Sequence, residues 1–130
     1  MTKGEEALLD TSFIIDFLRG RGEARALWDR LAVEGVIFAC CAVNVEEVYA
    51  GMKRGEEAAT EAFLRSLRYV PITRAAARQA GKYRREFRER GVTLHTPDTL
   101  IAGVCAVFGL ALVTRNTDRF PMNDFPILTY

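Results

Sequence analysis

Histidine and tryptophan occur once each in these 130 residues, cysteine three times and proline four times, and each scarcity removes a class of protein. With His95 as the single histidine there is no multi-histidine zinc site and little scope for an imidazole relay; it reads as an ordinary loop residue. Three cysteines are an odd number, Cys40 and Cys41 are adjacent, and no C-x-x-C spacing occurs. Neither a disulfide framework nor a zinc ribbon is encoded, and buried free thiols are the expected state. No run approaches the roughly 18 apolar residues of a membrane helix. The opening MTKGEEALLD has neither the basic nor the apolar segment of a secretory signal, so the expectation is a soluble, cytoplasmic protein. Missing as well are the G-x-x-x-x-G-K-S/T phosphate loop and the G-x-S-x-G elbow. Gly20 and Gly22 begin a G-x-G-x-x-G, but Arg25 stands at the third glycine position and a helical pattern precedes them, so that match is discarded.

What is present suits one compact domain. About half the residues are apolar, enough for one core and not for two, which predicts a single domain over residues 1–130. Net charge is close to zero but unevenly spread: residues 1–64 carry 7 Lys/Arg against 12 Asp/Glu, residues 65–90 carry 9 against 2, and residues 91–130 carry 2 against 3. Fifteen of the 18 basic residues are arginine, whose planar fork suits phosphate. The basic block, from Arg65 to Arg90, repeats at spacings of three and four, so several of its members share a helix face. A solvated face and a nucleic-acid contact through residues such as Arg84 and Arg85 are both open.

Short apolar runs alternate with helical patterns along the chain. Ala7-Leu8-Leu9 predicts a buried strand ending at Asp10, followed by a helix carrying Phe13, Ile14, Phe17 and Leu18 and broken by Gly20 and Gly22. A second helix is expected from about 23 to 33 and a second strand over 36–39. Asn44 is expected to start a third helix with Val45, Val48, Tyr49 and Met52 in a stripe, and a fourth is expected near 56–67. Pro71 marks a short edge strand over 69–72. A long basic helix follows over 74–90. Pro97 opens an apolar helix that Gly109 closes, Ala111-Leu112-Val113 reads as a central strand, and Ile127-Leu128 as a last short one. Such alternation predicts a mainly parallel sheet covered on both faces.

In sheets of this kind ligands bind beyond the carboxyl ends of the strands. Asp10 ends the first strand and Thr114, Arg115 and Asn116 end the fourth; if those strands are neighbours, their ends meet. Asp98 falls in the first turn of the helix before the fourth strand, and Glu47 is expected in the first turn of the helix after the second. Carboxylates gathered without a cation repel one another, so such a cluster takes up protons or binds metal. Oxygen donors without His or Cys suit Mg2+ or Mn2+, and the chemistry that follows is phosphodiester hydrolysis. Each acid also has a plainer reading: Asp10 as a helix N-cap, Glu47 as the partner of Asn44 in a capping box, Asp98 as a carboxylate favoured by the helix dipole. Asp16 and Glu46 fall off the apolar faces and are expected to be solvated.

Four segments together resemble the PIN domain, and within it the small ribonucleases of the VapC toxin type. LLDTSFIIDFLRG (8–20) is similar to the first motif, with Asp10 as its acid. NVEEVYAG (44–51) is similar to the second, in which the acid stands four residues before a glycine; that spacing selects Glu47, with Gly51, over Glu46. PDTLIAGVCA (97–106) resembles the third, with Asp98. VTRNTDRF (113–120) resembles the fourth, where Asn116 takes the family's last polar position and Asp118 follows two residues later.

The resemblance spans nearly the whole chain and implies a three-layer α/β/α sandwich around a parallel sheet of four or five strands. It implies a Mg2+- or Mn2+-dependent endoribonuclease, the toxin of a toxin–antitoxin pair. Asp10 and Asp98 would bind the ion, helped by Asn116 or Asp118, while Glu47 binds a second ion or orients water. Ser12 and Thr114 would hydrogen-bond the carboxylates or the substrate phosphate. It further implies a homodimer and a small cognate antitoxin, with Trp28 either in the core or at a partner surface. Two rival classes stand beside it. One is a catalytically silent PIN-like module that binds RNA. The other is a phospho-accepting receiver domain, which would need paired acids near the first strand and a lysine after the last, and has neither.

Overall fold

The computed structural model describes residues 5–130; the first four residues of the N-terminal stretch read above lie outside that range. Five strands form one sheet in the order β3-β2-β1-β4-β5, every neighbouring pair parallel. They are β1 (Glu6–Leu9), β2 (Ile37–Cys40), β3 (Arg68–Tyr69), β4 (Ala111–Val113) and β5 (Ile127–Leu128). Six helices cover it: α1 (Thr11–Leu18), α2 (Gly22–Val33), α3 (Ala42–Ala50), α4 (Glu57–Ser66), α5 (Arg74–Glu89) and α6 (Thr96–Phe108). A 3-10 turn, Thr117–Arg119, follows β4.

Strand side chains alternate between faces, and here each face has its own core. Leu8, Ala39 and Leu112 point into a cluster with Ala76, Tyr83 and Phe87 of α5 and Ile101, Val104 and Cys105 of α6. Their neighbours Ala7, Leu9, Cys40, Ala111 and Val113 point the other way, onto Phe13 and Ile14 of α1, Leu27 and Leu31 of α2, Val48 of α3 and Leu64 of α4. This is the expected three-layer α/β/α sandwich, with five strands. Among the described residues no helix is long and apolar enough to cross a membrane.

Element ends follow local chemistry. α6 carries Pro97 in its first turn, where a missing N–H costs nothing, and ends at Gly109, whose φ of 68° is left-handed. β2 begins at Ile37, one residue later than the apolar run suggests, because Val36 still donates its N–H to Leu31 O at 3.1 Å in the turn leaving α2. β3 is one of the two edge strands; it covers Arg68–Tyr69 rather than the expected 69–72 and stops short of Val70, before Pro71 with its missing donor. α3 starts at Ala42, not at Asn44, and ends at Gly51, so Met52 lies beyond the stripe assigned to it. Trp28 is half-buried in an aromatic group, stacked on Phe38 with centroids 3.8 Å apart and touching Phe17 and Phe63. All three cysteines are buried and free; burial pushes each thiol up, Cys40 to about 11.

The tightest helix contact in the site's supporting layer is between α5 and α6. A Cβ placed on Gly103 would overlap the Ala76 carbonyl oxygen and lie 3.2 Å from Ala80 N, and these are backbone atoms that cannot swing aside. Gly103→Ala is therefore expected to force the helices apart. The overpacking, about 1–3 kcal/mol, exceeds or matches the roughly 1 kcal/mol gained in helix propensity, so thermal unfolding should show a melting temperature lowered by several degrees. A melting temperature at or above that of the unsubstituted protein would contradict the close approach.

Candidate active site

Parallel pairing of β1 with β4 sets Leu9 beside Val113, so the residues after each strand, Asp10 and Thr114, emerge side by side. Asp10 is buried and serves two ends at once. Its Oδ1 accepts the Thr11 N–H at 2.9 Å, capping α1, while its Oδ2 accepts the hydroxyls of Thr114 at 2.7 Å and Ser12 at 3.2 Å. The plain reading as an N-cap therefore holds in the geometry, and the same carboxylate also ties the start of α1 to the residue after β4. Thr114 in turn accepts the Asn116 N–H at 3.0 Å, which starts the turn leading to Asp118.

Glu47 reaches the same corner from α3. Its Oε1 accepts the Thr11 hydroxyl at 2.6 Å; that hydroxyl accepts the Asn44 amide at 3.4 Å, and Asn44 Oδ1 accepts the Cys41 N–H at 2.8 Å. The expected capping box of Asn44 with Glu47 is thus corrected: the box joins Cys41 and Asn44. The helix starts directly after β2, which puts Asn44 in its first turn, where a short side chain spans the gap to Cys41. Glu47 sits one turn further in than the sequence pattern suggests, free of capping and turned toward α1.

Asp98 lies in the first turn of α6, as expected, and is half-buried. Burial raises its acid above the ordinary range, Asp10 and Glu47 push it further, and Arg119 and His95 pull it back. Glu47, Asp98 and Asp118 line one cleft of about 480 Å³ together with His95 and Arg119, walled by the 92–94 loop. Asn116 does not line this cleft; it braces Thr114 through its backbone. Arg84 and Arg85 are exposed on α5 and are not among the lining residues.

The donor chemistry suits a hard divalent ion: the acids here are all carboxylates, with His95 the single imidazole in the cleft, and Asp10 and Glu47 add to the burial that raises the Asp98 acid. Their positions as they stand do not close on one point, since among the described residues no three His, Cys, Asp or Glu side chains form a group able to hold an ion. Asp10 is turned to Ser12 and Thr114, and Glu47 to Thr11.

Several residues of this corner carry no sequence signal of their own. His95, read as a loop residue, is the N-cap position of α6 and lines the cleft; its spacing of three before Asp98 is the only hint. Arg119 and the brace formed by Asn44 and Thr11 are likewise visible only in three dimensions. Asp16 corrects an expectation outright. It is 2 % exposed rather than solvated, because Arg21, Arg115 and Tyr130 close over it.

A parallel sheet between two helical layers, with acids from four segments gathered at the ends of β1 and β4, defines a PIN domain. The family's sequence profile matches residues 7–125, and the chain belongs to the PIN domain family. Within it, the chain is 34 % identical over 121 residues to ribonuclease VapC19 of Mycobacterium tuberculosis, covering 93 % of this chain and 95 % of that one. Among solved structures, a toxin–antitoxin complex from Klebsiella pneumoniae contains a chain 28 % identical, with a TM-score of 0.74 over 93 % of this chain and 99 % of that one. VapBC2 from Rickettsia felis, bound to a DNA fragment of its promoter, shares the fold at 19 % identity, with a TM-score of 0.83 over 96 % of this chain and 98 % of that one.

Proposed function

We propose that this chain is an endoribonuclease that hydrolyses RNA phosphodiester bonds with a bound Mg2+ or Mn2+, acting in the cytoplasm as the toxin of a toxin–antitoxin pair. The observation that carries this reading is the meeting of Glu47, Asp98 and Asp118 in one cleft, at the corner where Thr11 joins Glu47 to the start of α1 capped by Asp10. Asp10, Asp98 and Asp118 would hold the ion, which when bound activates water and stabilises charge on the leaving oxygen. Glu47, oriented by Thr11, would orient the attacking water and accept its proton. Ser12 and Thr114 keep Asp10 aimed, Asn116 braces Thr114, and His95 and Arg119 offer positive charge to a phosphate at the cleft mouth. The name of the relative VapC19 supports ribonuclease activity. The toxin–antitoxin complex that contains the 28 % identical chain supports a small antitoxin partner, and a homodimer is part of the same reading.

A second reading, a PIN-like module that binds RNA without cutting it, is favoured by one observation, the failure of the carboxylates to converge. Incubating the protein with RNA in Mg2+ or Mn2+ separates the two: cleavage supports the enzyme, and ion-independent binding without cleavage supports the silent module.

The basic helix supplies the RNA-facing part of the proposal. Ala76, Ala80, Tyr83 and Phe87 form the buried side of α5. At 100° per residue Arg74, Arg78 and Arg85 stand opposite that side, and Arg84 is nearer to it. Arg78→Glu with Arg85→Glu is expected to weaken RNA binding and flatten its dependence on salt, by roughly 0.7 in log–log slope for each phosphate no longer neutralised. Arg84→Glu should do less. Affinity and salt slope unchanged in the double variant would return this face to simple solvation.

A further inference from the structure

Among the described residues two carboxylates are buried, Asp10 and Asp16, and the proposed chemistry uses only the first. Asp16 lies toward the far end of α1, and three segments reach it. Arg21 Nε, from the turn between α1 and α2, stands 3.2 Å from its Oδ1; Arg115 Nη1, from the segment after β4, stands 2.9 Å from its Oδ2; and the Tyr130 hydroxyl donates to Oδ2 at 2.8 Å. Burial and this hydrogen bond to Asp16 push the Tyr130 phenol up. Both guanidinium groups remain partly open to solvent, whereas the Asp16 side chain is 3 % exposed.

The place of Arg115 in the chain gives this ion pair a consequence for the site. Arg115 stands between Thr114, whose hydroxyl holds Asp10, and Asn116, whose N–H bonds that same hydroxyl. Two successive residues thus grip the two ends of one helix: Thr114 at the Asp10 cap, Arg115 at Asp16 six residues on. A segment fixed at both points has little freedom in where it delivers Asp118 to the cleft, three residues beyond Arg115. Fixed at Thr114 alone, it can pivot. We propose that Asp16 is a positioning residue of the active site, acting through Arg115 to set the 114–118 segment; the proposal rests on the nuclease reading above for its effect on activity. A staple for stability alone would also bury Asp16, so the test must read position as well as folding.

Arg115→Gln is the informative variant, because Arg21 and Tyr130 still satisfy Asp16 and the protein should fold; Asp16→Asn, the double variant and Arg115→Lys complete the set. Amide resonances of residues 116–119 are expected to shift in Arg115→Gln and in Asp16→Asn, while those of α5 stay in place. RNA cleavage, measured well below the melting temperature, should lose about 10- to 100-fold in kcat with KM changed far less. Arg115→Lys should recover most of that loss, and the double variant should be no worse than the poorer single one. Unmoved resonances at 116–119 in both single variants would overturn the proposal. So would a lowered melting temperature with unchanged kcat, or losses that multiply in the double variant, which would mark Arg115 as an independent RNA contact. Should the unsubstituted protein cleave no RNA, the nuclease reading falls, and the resonances still decide whether Asp16 sets the segment.

Discussion

Asp98→Asn is expected to reduce RNA cleavage by roughly 10³-fold, the loss of about 4 kcal/mol of transition-state stabilisation, while the protein melts no lower than before. The two halves of this expectation have one cause. Asp98 is half-buried, and burial, Asp10 and Glu47 all oppose its ionisation, so the carboxylate is kept at a cost to the fold that a neutral amide of the same shape does not incur. Asp10 makes a poorer test. Its Oδ1 accepts one hydrogen bond and its Oδ2 two, and an amide nitrogen at either place would face a donor, so Asp10→Asn mixes lost chemistry with lost stability. Melting curves and cleavage rates measured on the same Asp98→Asn preparation check both halves. Retained cleavage would remove Asp98 from the site, and a large drop in melting temperature would mean that its charge supports the fold.

Divalent ions are expected to stabilise the protein and to reverse the sign of the Asp98 contribution to its pH dependence. Without ions, the raised Asp98 acid binds its proton more firmly in the folded chain than in the unfolded one. Its contribution is therefore fully present below the ordinary aspartate value of 3.8 and is lost as pH rises through the raised value. An ion displaces that proton, so ion affinity climbs over the same window. At about 100 times the dissociation constant, Mg2+ or Mn2+ should add about 2.7 kcal/mol, most fully above the raised acid. Melting temperatures across pH, with chelator and with each ion, test this. Asp98→Asn should remove that contribution from the chelator curve and lose the ion's effect. A stabilisation by ions that persists in Asp98→Asn would place the ion elsewhere.

Much of the fold is legible along the chain because its signals are local. The runs at 7–9 and 111–113 read as strands, and both are buried on both faces as parallel strands are. Pro97 and Gly109 mark the two ends of α6 through their own backbone preferences. Where the local signals misled, a neighbour decided. The start of α3 moved to Ala42 because Asn44 pairs back to Cys41 rather than forward to Glu47. Asp16 looked solvated because its partners come from elsewhere: Arg115, and Tyr130 at a separation of 114 residues, which no helical periodicity contains. The candidate site divides in the same way. Motif spacing selected Glu47 over Glu46, and in the fold Glu46 is exposed while Glu47 lines the cleft. Between Asn116 and Asp118 the spacing could not choose, since only the turn at 117–119 brings the second to the cleft and leaves the first bracing Thr114.

If the gathered acids hold a metal ion that cuts RNA, cleavage must follow the ion, and one side-by-side assay reads this. Purified protein is incubated with labelled RNA in Mn2+ or Mg2+, in chelator, and in chelator followed by excess ion. Internal cleavage is expected with either ion, none in chelator, and recovery when the ion is returned. Cleavage that continues undiminished in chelator would overturn the metal mechanism, and intact RNA under every condition would overturn the nuclease itself.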